Sequence, residues 1–165
     1  MCGIAGFIKN SITEKKQLSS MLDVLHHRGP DQRFEYHAEG ISMGMTRLSI
    51  NDLAHGDQPS FNSSNSVAVI YNGEIYNYKK LRKDLELRGK KFVTNTDGEV
   101  IAHLYEDFGE SAIGYLDGMF AVAIWDLKTE TLLLGRDSPG EKPLYYYHNN
   151  HSFAFASEIK ALRSL

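Results

Sequence analysis

The chain has 165 residues, 42% hydrophobic and 24% charged, with a formal net charge of −3. This is enough for one domain with a real core, in the composition range of soluble globular proteins. The charge excludes an obvious nucleic-acid or membrane surface, one cysteine excludes an internal disulfide framework and fits a reducing cytosol, no apolar run spans a bilayer, and no signal peptide is visible.

The chain opens Met1-Cys2-Gly3, and Cys2 is its only cysteine. A residue as small as cysteine permits removal of Met1. Cys2 would then carry a thiol and a free α-amine, a nucleophile and its base in one residue. Free α-amines titrate at about 7.7–8.0, so a neutral fraction exists near physiological pH. The bland alternative is a small buried hydrophobe that happens to follow the start. Residues 3–8 (GIAGFI) read as a short buried strand, which would hold a terminus that usually frays.

Residues 10–16 are polar and read as a turn. Leu18, Met21, Leu22 and Leu25 recur at helical spacing, and Gly29-Pro30 stops that helix. His26 and His27 invite a metal reading, but no second cluster stands at ligand spacing, so no metal is expected. Residues 41–50 alternate as a half-buried strand ending near Arg47, which is either surface filler or a planar fork for a carboxylate. Residues 56–66 read as loop. Residues 67–71 form an apolar strand running into Asn72-Gly73-Glu74, read as a turn into a helix with Asn77 as N-cap and Gly89 as stop. Side by side, an Asn amide and a Gly N–H could hold one oxyanion.

Phe92-Val93 reads as a short strand, and Thr96 with Glu99 as a capping box opening a helix that carries Ile101, Leu104, Tyr105 and Phe108. Asp97 then either complements the helix dipole or holds a ligand ammonium. Residues 119–125 and 131–134 form a hairpin with its first strand buried on both faces, and 135–140 a loop. Residues 144–147 and 152–156 pair around Asn149-Asn150, and Ser157-Glu158 cap a last short helix.

These stretches resemble the glutaminase domain of class II glutamine amidotransferases, most closely that of glutamine-hydrolysing asparagine synthetases. The resemblance is carried by residues 1–7 (MCGIAGF), 27–31 (HRGPD), 47–53 (RLSINDL), 56–59 (GDQP), 72–77 (NGEIYN), 97–101 (DGEVI), 117–120 (DGMF) and 135–146 (GRDSPGEKPLYY). They span essentially the whole chain in the family's order. The resemblance implies an α+β fold, the four-layer αββα sandwich of N-terminal nucleophile hydrolases. It implies that Cys2 is the nucleophile with its α-amine as base, and that the Asn72 side chain and the Gly73 N–H form the oxyanion hole. Arg47 looks like the ligand of the glutamine α-carboxylate, and Asp97 the acceptor of its α-ammonium. Leu48, Ser49, Ile50, Asn51 and Glu74 look like further glutamine-pocket residues.

Asn51 stands where the family usually has an aliphatic residue, and Ser138-Pro139 replaces a charged-aromatic pair. The resemblance also implies a cytoplasmic protein without a cofactor in this domain. An ATP- and Mg-dependent synthetase domain, or a separate synthetase subunit, is expected downstream, and no ATP loop of that kind stands in this chain. Expected partners are L-glutamine and that synthetase; a homodimer is compatible, whereas nucleic acid and membrane are not expected. Aspartate is the default ammonia acceptor, with a sugar or another carboxylate as runner-up. A non-catalytic regulatory domain and a hydrolase of other amides remain as alternatives.

Overall fold

The computed structural model describes residues 1–8, 15–48, 57–150 and 152–163. In chain order the described elements are β1 (Gly3–Ile8), α1 (Lys15–Leu25), β2 (Gln32–Ala38), β3 (Ile41–Arg47), β4 (Ser60–Phe61), β5 (Val67–Ile75), α2 (Tyr78–Leu87), α3 (Asp97–Phe108), β6 (Gly118–Asp126), β7 (Thr131–Arg136), β8 (Tyr145–His148), β9 (Phe153–Ala156) and α4 (Ile159–Leu162). Short 3-10 segments follow α1 (His26–Arg28) and α3 (Gly109–Tyr115). The strands form two antiparallel sheets, β2-β3-β1-β9-β8 and β4-β5-β6-β7.

Side chains alternate across each strand, and this sorts the core into three layers. Ile4, Ile41, Met43, Met45, Ala68, Ile70, Ala121, Ala123 and Trp125 fill the space between the sheets. Ala5 and Phe7 point outward, onto Leu18, Met21, Leu22 and Leu25 of α1 and Ala161 of α4. Val69, Ile75, Val122 and Ile124 point outward from the other sheet, onto Leu81 and Leu85 of α2 and Val100, Ile101 and Leu104 of α3. The result is the αββα sandwich that the resemblance implies.

Several local expectations are corrected. All seven residues of β3 are buried, not half of them, because β3 lies between β1 and β2 with α1 on one face and the second sheet on the other. The strand does not turn at Asn72-Gly73. It continues to Ile75, with Asn72 opposite Ala121 and Gly73 opposite Phe120. Gly73 is required for a different reason: its φ is +146°, and a Cβ there would collide with the Met119 carbonyl oxygen. The turn falls later, where the Tyr76 N–H donates to the Asp117 carbonyl at 2.7 Å. Asn77 precedes α2 but does not cap it with its side chain, which instead bridges the Tyr115 carbonyl and the Asp117 N–H.

Residues 60–61, expected as loop, pair with β5 as β4, and β2 has no counterpart in the sequence reading. Residues 135–136, also expected as loop, belong to β7. Ser157 does not cap α4; its hydroxyl accepts the Ile4 N–H at 2.9 Å. The expected turn at 10–16 lies largely outside the described residues.

Residues 92–93 form no strand, and Val93 is 88% exposed. The capping box there is half made. The Thr96 hydroxyl accepts the Glu99 N–H, but the buried Glu99 carboxylate reaches back past Thr96 to the N–H groups of Val93 and Thr94, both at 2.7 Å. Glu99 therefore shapes the loop before α3 more than it caps the helix. Glu99→Ala is expected to cost about 2–4 kcal/mol in urea unfolding, because two backbone donors lose their acceptor. Thr96→Ala is expected to cost only about 1 kcal/mol. Equal costs would restore the simple capping box.

Candidate active site

The side-chain parity that builds the core also builds the site. Cys2 continues the inward face of β1 set by Ile4, and packs against the inter-sheet layer. Arg47 continues the inward face of β3 set by Met43 and Met45, and Asn72 that of β5 set by Ala68 and Ile70. All three therefore reach one end of the space between the sheets. They line a cleft of about 400 Å³ together with Leu48, Gly73, Glu74 and Asp97. Ser49, Ile50 and Asn51 lie outside the described residues.

The start of the chain is held from three sides. β1 pairs with both β3 and β9. Ile4 and Ser157 exchange two hydrogen bonds, N–H to hydroxyl at 2.9 Å and Ser157 N–H to Ile4 carbonyl at 2.8 Å. Arg28 Nε donates to the Cys2 carbonyl at 3.0 Å, and Arg28 Nη1 to Glu158 at 3.0 Å. His27 Nε2 lies 2.9 Å from the same carboxylate oxygen. The HRGPD stretch is thus a clamp on the residue after Met1. Nothing in the sequence alone pointed Arg28 at Cys2, because the partner carboxylate lies 130 residues away.

Asn72 is 2% exposed, and its Nδ2 has no hydrogen-bond partner among the described residues. A buried amide donor without an acceptor costs about 1–3 kcal/mol. An unmatched donor that lines a cleft is suited to an oxygen that a ligand brings. Arg47, which the sequence left as either filler or fork, is buried, with Nη1 donating to Gln32 Oε1 at 2.7 Å. Asp97 opens α3 and accepts from the Tyr71 hydroxyl at Oδ1 and from the Ile75 N–H, at 3.2 Å, at Oδ2.

Two further features escaped the sequence reading. Tyr71 lines the cleft beside Asp97. Its phenol is pushed well above the ordinary range by burial and then by the Asp97 charge. Asp137, in the GRD stretch, is buried and accepts the N–H groups of Phe120, Glu141 and Lys142 at 3.1, 2.7 and 3.1 Å. Burial opposes its charge, but backbone donors led by Lys142 and Glu141 outweigh this and hold it below the usual carboxylate range. Asp137 thereby fixes the loop that brings Lys142 to the cleft.

Burial also opposes the Glu158 charge, but Arg28, Lys160 and His27 overcome it and lower the carboxyl to about 2. A lowered folded value stabilises above the unfolded value near 4.5 and is lost as pH falls towards 2. Glu158→Gln is expected to lose about 2–3 kcal/mol at pH 7, with the gap to the parent closing below pH 4.5. Urea unfolding across that range measures it; a gap independent of pH would contradict the clamp.

The family described as "Glutamine amidotransferase domain" matches residues 1–165. Among curated relatives, glutamine-hydrolyzing asparagine synthetase 2 of Bacillus subtilis (strain 168) is 42% identical over 170 residues, which cover 99% of this chain and 22% of the relative. Glutamine-hydrolyzing asparagine synthetase 2 of Arabidopsis thaliana is 43% identical over 166 residues, 98% of this chain and 28% of the relative. The chain spans about a quarter of the length of these relatives. Among solved structures, glutamine phosphoribosylpyrophosphate amidotransferase from B. subtilis superposes with a TM-score of 0.78 at 24% identity, over 99% of this chain and 43% of that one. That likeness establishes the fold alone. With its whole length matched by the family and its strands in the same sandwich, the chain belongs to the glutamine amidotransferase domain family.

Proposed function

We propose that this chain is the glutamine-hydrolysing domain of an asparagine synthetase, acting through Cys2 once Met1 is removed. The observation that carries the reading is Asn72 Nδ2, without a hydrogen-bond partner among the described residues and buried in the cleft that Cys2 lines. The Cys2 α-amine takes the thiol proton, and the sulfur attacks the side-chain carbonyl carbon of glutamine. The resulting oxyanion is held by Asn72 Nδ2 and the Gly73 N–H. The α-ammonium then protonates the departing nitrogen, the C–N bond breaks, and ammonia leaves a glutamyl thioester. The amine next takes a proton from water, the hydroxide adds to the thioester, and the C–S bond breaks to release glutamate and the thiol.

Arg47 pairs with the substrate α-carboxylate and Asp97 with its α-ammonium, so free amino-acid amides are favoured over peptides. Leu48, Ser49, Ile50, Asn51 and Glu74 complete the pocket wall. An aspartate-amidating synthetase is then the consumer of the ammonia, a reading that the names of the relatives support. ATP and Mg²⁺ belong to that synthetase step. A cytoplasmic setting fits the lone cysteine and the amino-acid substrate.

Glutamate release from glutamine measures the reading. Cys2→Ala is expected to abolish it with the thermal unfolding midpoint kept. Asn72→Ala is expected to lower kcat by about 10²–10³ with KM little changed. A variant at Asn72 with parental kcat would remove the oxyanion hole from the scheme. Arg47→Lys keeps the charge but loses the fork, and is expected to raise KM for glutamine about tenfold. An unchanged KM would reject the carboxylate role.

A further inference from the structure

Tyr71 takes no part in the bond-making steps, yet it is built into the cleft. It points to the α3 side of β5, opposite to Asn72, and its hydroxyl donates to Asp97 Oδ1. Its main-chain N–H donates to Gln58 Oε1 at 2.8 Å, and Gln58 also lines the cleft. The ring is wedged in place: a Cβ on Gly98 would stand 3.1 Å from Tyr71 Cε1 and closer still to Ser60 Oγ.

These contacts fix a donor–acceptor pattern. The phenol has one proton, and Asp97 receives it. The Tyr71 oxygen then has only lone pairs left to offer. Among the described residues, Asp97 has two of its roughly four acceptor positions taken, by Tyr71 and by the Ile75 N–H, and the rest remain for a ligand. Two acceptors side by side, one of them charged, suit a group with several N–H donors and a positive charge. We infer that Tyr71 determines head-group specificity, its oxygen accepting one hydrogen of the substrate α-ammonium while Asp97 accepts another. The inference rests on the glutaminase reading above. The pattern holds at every working pH, because burial and the Asp97 charge keep the phenol protonated.

Kinetics of the parent chain and Tyr71→Phe on two amides test it. One amide is glutamine; the other is glutaramate, which keeps the carboxylate and the carboxamide but lacks the α-amino group. Tyr71→Phe is expected to raise KM for glutamine about tenfold with kcat within about twofold, since a hydrogen bond to a charged group is lost. The kcat/KM for glutaramate should stay at the parental value. An equal loss on both amides would mark a merely structural role and overturn the inference, as would an unchanged KM for glutamine. Hydrolysis of neither amide by the parent would instead overturn the glutaminase reading. Should Tyr71→Phe not fold, 3-fluorotyrosine at position 71 keeps the shape and weakens the oxygen as an acceptor. The glutamine KM should then rise and the glutaramate kcat/KM stay fixed; an unchanged glutamine KM rejects the role.

Discussion

The pairing of β1 in the middle of its sheet is the constraint on which the rest depends. Chain ends usually fray, because few contacts offset the entropy of ordering them. Here Gly3 pairs with Thr46 on one side and Ala5 with Ala156 on the other, so order is imposed within three residues of Cys2. Register then decides chemistry. A slip of one residue in β1 would turn Cys2 from the inter-sheet space toward α1 and empty the site of its sulfur. The Ser157 and Arg28 contacts lock that register from outside the ladder.

The same parity explains why residues from distant parts of the chain meet. Cys2, Arg47 and Asn72 come from three strands in two sheets, each one step beyond a row of inward apolar residues. Apolar burial drives these rows together, and the polar residues at their ends are carried along. The site thus inherits its precision from the core. Its polar groups divide into two kinds. Asp137 is satisfied by protein donors and holds shape. Asn72 Nδ2 lacks an acceptor among the described residues, a local cost that a bound oxyanion would offset.

Much of this was legible in the sequence because the signals were periodic or chemical. The helical spacing of Leu18, Met21, Leu22 and Leu25 gave α1, and all four are fully buried. The continuous apolar run of β6 gave a strand covered on both faces. What failed was reading special residues by their commonest local use. Asn72-Gly73 reads as a turn from strand into helix, but the glycine serves a close approach to Met119 in a continuous strand. Thr96 and Glu99 look like a capping box, but Glu99 finds better donors at Val93 and Thr94. Arg28 to Cys2 and Tyr71 to Asp97 are tertiary contacts, and no local pattern in the chain encodes them.

The most direct measurement is the intact mass of catalytically active protein after exposure to an electrophilic mimic of glutamine. Loss of Met1 and one adduct, mapped to Cys2, is the expected result. Full glutaminase activity in protein that retains Met1 or carries a blocked α-amine would contradict a thiol served by its own amine.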